Sequence, residues 1–245
     1  MTSMPIPRRS RPAVAGLCLL GALALLVLVE LTVPPEAVDR GVLDWLVARR
    51  TGGMDAAARV VTDSGASPVL FPLVAFAGVL VLIRTRQWWP GVLALAVGGL
   101  GVASRLGLSR VVGDERPPVA EWVVTVHGYS FPSGHAATSA LVAGTIVWLL
   151  RRAFPGSLSR RAVEVALVCW AVLVGVSRLY LGVHWITDVL GAWLLAGTWL
   201  MLLVAIGDRL PDHARVSDGA PAGDDVGAAD RRVSGPADPT VRPGA

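Results

Sequence analysis

Long apolar runs without a charge in their middle constrain this chain more than any other feature. At about 1.5 Å of rise per residue, a helix of roughly 18 to 23 such residues crosses a hydrocarbon core about 30 Å thick. Six runs qualify, approximately Ala13 to Val33, Ser67 to Ile83, Trp89 to Leu108, Ala136 to Leu150, Ala162 to Val176 and Asp188 to Ile206. The fourth and fifth are short, so their helices are expected to extend into the flanking residues. A 245-residue chain that is 53% hydrophobic and only 16% charged is not an ordinary soluble domain. The predicted architecture is all-α, a six-span transmembrane helical bundle over residues 13–207. Residues 1–12 read as a cytoplasmic N-terminus. Residues 208–245 lack aromatics, are rich in Asp, Arg, Gly, Pro and Ala, and read as a disordered cytoplasmic tail.

All 22 basic residues are Arg, and no basic stripe is interleaved with stacking aromatics, so a nucleic-acid partner is not expected. The arginines instead mark topology. Arg8, Arg9 and Arg11 precede the first run, Arg84 and Arg86 fill the second connection, and Arg151, Arg152, Arg160 and Arg161 fill the fourth. The positive-inside rule makes that side cytoplasmic, in a plasma-membrane, multi-pass protein with both termini inside. The third connection (Ser109 to Gly134) and the fifth (Ser177 to Thr187) then face outward together. The Arg-rich lead raises a signal peptide as a rival, but the first run is longer than a typical signal core and reads as a retained anchor. Cys18 and Cys169 both fall in apolar runs, which offers neither a disulfide framework nor a thiolate metal site. The stretch from Pro34 to Ala66 is too charged to span. Val42, Leu43, Trp45, Leu46 and Val47 beside Asp44, Arg49 and Arg50 suit a short helix in the interface or packed over the bundle. Trp88, Trp89, Trp148 and Trp185 sit where runs meet headgroups, as an aromatic belt would.

The outward connections carry the chemistry. His184 and Asp188 are four apart, which on a helix puts both on one face and lets the carboxylate accept a proton from one ring nitrogen. The other nitrogen is then a free lone pair able to attack phosphorus. A helix-capping Asp beside an interfacial His is the plainer reading of the same pair. Pro132-Ser133-Gly134-His135 precedes the fourth run, where a glycine turn and a helix N-terminus together can hold an anion. Ser133 adds a donor, and His135 has its ring free to protonate a leaving oxygen. Arg116 and Arg178 supply planar forks of donors suited to phosphate, although for each alone a snorkelling interface residue is the plainer reading.

With these residues in place, the chain resembles the type 2 phosphatidic acid phosphatase, or lipid phosphate phosphatase, family, whose helical core is shared with the vanadium haloperoxidases. Two motifs match in full, Pro132-Ser133-Gly134-His135 and Ser177-Arg178 with His184 and Asp188. The resemblance implies that His184 is the nucleophile, Asp188 its orienting partner and His135 the general acid. It further implies that Arg116, Ser133, Gly134 and Arg178 bind phosphate, and that neither metal nor cofactor is required. The family's first motif departs here: its Lys, seven residues before the Arg-Pro pair, falls on Ser109. Arg110 is the first candidate to replace it as a phosphate ligand, and Arg105, one turn earlier, is the second. The expected activity is hydrolysis of a lipid phosphate or diphosphate through a phosphohistidine. Phosphotransfer to an alcohol and a catalytically silent lipid-binding protein are the alternatives.

Overall fold

The computed structural model describes residues 11–32, 36–65 and 67–210, which all lie in one compact unit. Among them the chain forms eight α-helices and one 3-10 turn, Val119–Glu121, with no strand. The helices are α1 (Arg11–Thr32), α2 (Glu36–Val47), α3 (Gly52–Ser64), α4 (Ser67–Thr85), α5 (Trp89–Val112), α6 (Gly134–Ala153), α7 (Leu158–Tyr180) and α8 (Ile186–Gly207). Six of them lie on the six apolar runs. α6 and α7 overrun the predicted ends, so that Gly134, His135, Ser177 and Arg178 are helical. Residues 1–10 and the tail from 211 onward, with the expectations attached to them, lie outside the described residues.

Local signals account for the helix ends. Pro90 sits in the first turn of α5, where its missing N–H costs nothing, and α5 stops at Gly113. The Ser157 side chain accepts the Arg160 N–H to open α7. Thr51 does the same for Met54 at the start of α3, a helix within the charged stretch from Pro34 to Ala66.

By length and composition α5, α7 and α8 are long and apolar enough to cross a membrane, while α1 and α4 carry shorter apolar segments, Pro12–Leu28 and Phe71–Thr85. Leu17, Leu25, Phe76, Ile83, Leu100, Val165 and Leu173 stand exposed on α1, α4, α5 and α7. Such a wide apolar exterior suits hydrocarbon and not water. The chain is an all-helical, multi-pass membrane protein. Inside, Val74, Val81, Ala94, Val97, Val142, Leu149 and Leu203 close a core between α4, α5, α6 and α8.

The two ends of the bundle differ. At one end Arg151 and Arg160 both pair with Glu164, Arg152 donates to the Gly207 carbonyl, and Arg84 lies over Phe154. Trp148 and Trp89 meet edge to face there, 6.2 Å apart, with Arg152 over both rings. Trp148 is buried in this stack and Trp89 partly so, whereas Trp88 is exposed. At the other end α2, α3 and the segments 113–133 and 181–185 converge.

Candidate active site

His184 stands just before α8, fully enclosed. The turn that delivers it depends on Gly182, whose φ of 72° and 2.2 Å clearance between an added Cβ and the Glu121 carbonyl leave no room for a side chain. His184 Nδ1 lies 2.9 Å from Asp188 Oδ2, one helical turn on, and that oxygen also accepts the Trp185 N–H at 2.8 Å. The opposite ring nitrogen, Nε2, is 3.1 Å from Arg116 Nη1. A carboxylate on one side and a guanidinium on the other fix the tautomer, with the proton on Nδ1 and the lone pair on Nε2. Burial first, and then the positive charges of Arg116, Arg178 and Arg105, push His184 well below the ordinary histidine value, so the ring is neutral.

Arg116 is held as firmly as the histidine. Its Nε donates to the Gly128 carbonyl at 2.8 Å, Nη1 to Val183 at 2.7 Å, and Nη2 to His127 at 3.3 Å and Tyr129 at 3.0 Å. With the His184 contact, all five of its N–H donors have protein acceptors. A cavity of about 430 Å³ opens beside it, lined by Asp114, Glu115, Pro118, Trp122 and Tyr129 among others. Burial, followed by the Asp188 charge, raises Asp114 to about 6.

The second half of the site holds buried donors without protein partners. Ser133 precedes α6 without capping it, and its Oγ is buried with no partner. Arg178, 3% exposed, spends Nη1 on Thr62 Oγ1 at 2.9 Å, while its buried Nε has no acceptor. Arg105 donates Nε to the Pro132 carbonyl at 3.0 Å, and its guanidinium lies 3.1 Å from where a Cβ on Gly134 would stand. A side chain at 134 would push that guanidinium aside. His135, half-buried on the first turn of α6, is within electrostatic range of Arg178, His184, Arg105 and Arg116. Uncommitted donors around a helix N-terminus make an anion hole. Among the described residues, no three His, Cys, Asp or Glu side chains group as metal ligands would.

His135, Ser133, Gly134, Arg116, Arg178, His184 and Asp188 therefore gather at one end of the bundle. Arg110 does not join them. It lies exposed on the last turn of α5, and at 100° per residue it points about 140° away from Arg105. Arg105 shares a face with the buried Ser109, one turn further on, which is how a longer side chain from an earlier turn reaches the same hole.

Four contributors were not singled out in the sequence reading. Asp39 of α2 accepts the Thr187 N–H at 3.2 Å and its hydroxyl at 2.9 Å, capping the start of α8. Arg50 ties the Tyr180 carbonyl to that of Glu121 at 2.9 and 2.8 Å. Thr62 holds Arg178, and Ser130 donates to Asp188 Oδ2. The first three contacts each join segments 71 to 148 residues apart, which periodicity does not register. Asp39 is buried and Arg50 partly so, and charges withdrawn from water need partners.

A helical membrane bundle that gathers a neutral histidine, arginines and a serine with an unpartnered hydroxyl at one end has the groups of an enzyme that acts on an anion. The chain belongs to the PAP2 superfamily, whose profile matches residues 112–211. It is 34% identical over 170 residues to a phosphatidylglycerophosphatase B of Bacillus subtilis (strain 168), covering 69% of this chain and 82% of that one. Over 75 residues it is 40% identical to an undecaprenyl-diphosphatase of Sulfolobus acidocaldarius, covering 31% and 32% of the two chains. The crystal structure of a transmembrane PAP2-type phosphatidylglycerolphosphate phosphatase from Bacillus subtilis superposes with a TM-score of 0.74 at 29% identity, over 80% of this chain and 98% of that one.

Proposed function

We propose that this membrane phosphatase removes the terminal phosphate from a lipid phosphate or diphosphate, by way of a phosphohistidine on His184. One observation carries the reading. The unpartnered donors of Ser133 and Arg178 surround the uncapped start of α6, beside a histidine whose lone pair is already selected. In this mechanism the phosphate oxygens take the α6 N–H groups, Ser133 Oγ, Arg178 and Arg105. Arg116 Nη1 gives up Nε2 and turns to the phosphate as it arrives. Nε2 then forms a bond to phosphorus as the bond to the leaving oxygen breaks, and His135 protonates that oxygen. The imidazolium that develops is stabilised by Asp188. Water, with His135 now acting as base, returns the enzyme. No step needs a metal.

Six spans with both termini cytoplasmic, in the plasma membrane, fit the helix order. The arginine-rich end is the cytoplasmic one, and the site faces outward at headgroup depth, where lipid enters sideways and water from outside. The names of the relatives support a phosphatidylglycerophosphate or a polyprenyl diphosphate as substrate. The test is phosphate release by purified protein from a panel of lipid phosphates in detergent with EDTA present. Release from at least one is expected. A strict divalent-metal requirement contradicts the mechanism, and a phosphorylated alcohol formed in place of inorganic phosphate makes the enzyme a transferase.

A further inference from the structure

Asp188 Oδ2 is crowded. It accepts from His184 Nδ1 and the Trp185 N–H, and also from Ser130 Oγ, while Oδ1 has no partner although it is buried. Ser130 is completely enclosed and held from both sides of its loop. Its own N–H donates to the Asp114 carbonyl at 2.9 Å, and three residues later the Ser133 N–H donates to the Asp188 carbonyl at 3.1 Å. Its Oγ stands 3.4 Å from His184 Nδ1. The loop bearing Ser133 and Gly134 is thus bolted to the nucleophile's carboxylate by a hydroxyl that packing alone does not require, since an alanine would occupy the space without a polar atom to satisfy.

We propose that Ser130 is a positioning residue of the nucleophile, whose hydroxyl holds Oδ2 of Asp188 against Nδ1 of His184 and so keeps the reactive lone pair on Nε2. The proposal rests on the reading that His184 attacks phosphorus. One effect follows from it. The donated hydrogen bond fixes the carboxylate's rotation, so that Oδ2 rather than the unpartnered Oδ1 meets the ring. Ser130 forms no covalent bond and exchanges no proton with substrate. The charged or titratable groups facing His184 are Arg105 from α5, Arg116 from the outer loop, His135 from α6, Arg178 from α7 and Asp188 from α8. Among the described residues, Ser130 is the side chain that links the carboxylate to the loop bearing Ser133 and Gly134.

The experiment measures phosphate release by the full chain in detergent between pH 4.5 and pH 8 for Ser130→Ala, Ser130→Cys and Ser130→Thr, with His184→Ala alongside. Loss of the donor should lower kcat on the order of 10- to 100-fold with KM little changed, as for other supports of a catalytic base. Once the carboxylate is no longer held against the ring it stabilises the imidazolium less, so the acid limb of kcat/KM moves to lower pH. Ser130→Thr should restore most of the rate, and Ser130→Cys, a weak donor of similar volume, should fall between. If Ser130→Ala does not fold, the Thr and Cys pair decides alone. Normal kcat in Ser130→Ala, or equal loss in all three variants with the acid limb unmoved, overturns the positioning role. In those cases an inactive His184→Ala leaves the phosphohistidine reading intact, whereas an active His184→Ala overturns both.

Discussion

The two halves of the site are prepared in opposite ways. On the nucleophile side, both nitrogens of His184 and all five N–H donors of Arg116 have protein acceptors or donors in place. On the cradle side, Ser133 Oγ and Arg178 Nε are buried with nothing to bond, and α6 begins uncapped. Buried donors left unsatisfied cost about 1 to 3 kcal/mol each, so a fold that keeps them open gains that back when an anion enters. In the proposed mechanism the His184 half is thus pre-organised for direction, and the Ser133 and Arg178 half for charge. Catalysis needs both, because electrostatic complementarity is useful only where the attacking atom is already aimed.

The largest expected effect comes from breaking the aimed half. His184→Ala should lower kcat by at least ~10⁴-fold, since a lost nucleophile leaves only binding and the anion hole. Retained activity, measured by phosphate release, would refute the assignment. In the cradle, Arg105→Ala should lower kcat/KM by ~10²-fold, while Arg110→Ala stays within about two-fold as an exposed substitution. The double change Arg105→Ala with Ser109→Lys should recover much of the rate, because position 109 shares the face of Arg105. The reverse ranking of the two arginines would return Arg110 to the site. Thr62→Val removes the acceptor that holds Arg178 Nη1 and should raise KM by roughly five- to ten-fold, the worth of one hydrogen bond.

Smaller effects concern pH. His184 is driven below its ordinary value by burial and three arginines, so its reactive neutral form persists as the medium is acidified. The kcat/KM of the wild-type protein should therefore hold nearly level from pH 7 to pH 6, and a fall following an ordinary histidine titration would contradict this. Asp114 is raised from 3.8 to about 6. The folded protein then holds a proton that the unfolded chain has released in that window, and this group's contribution to stability falls as pH rises through it. Asp114→Asn should raise Tm at pH 7 and by much less at pH 4, read by thermal unfolding in detergent.

Much of the fold was legible because helix and hydrocarbon impose a simple code. Charge-free runs became α1 and α4 to α8, and the shortness of the fourth and fifth runs marked where α6 and α7 extend into motif residues. α3 escaped because it is polar and opens on two glycines, leaving Thr51 and Asp55 as its main local signals. Within the site, the residues gathered by motif spacing lie together, since short turns such as 181–185 fix them locally. Asp39 and Thr62 on α2 and α3, and Arg50 in the connection between them, reach in from far away along the chain, and such contacts leave no periodic trace. Arg105 against Arg110 shows the same limit on a smaller scale. Counting along the sequence favoured the nearer residue, while helix geometry favours the one a full turn from Ser109.

The central claim is that phosphorus is passed to His184. Rapid quenching of the protein with a ³²P-labelled lipid phosphate, in alkali that preserves phosphohistidine, followed by peptide mapping, tests it directly. The expected result is acid-labile label on the peptide containing His184, accumulating in His135→Ala and absent from His184→Ala. Label on any other residue, or turnover of the wild-type protein with no trappable phosphoenzyme under conditions that slow its hydrolysis, would contradict it.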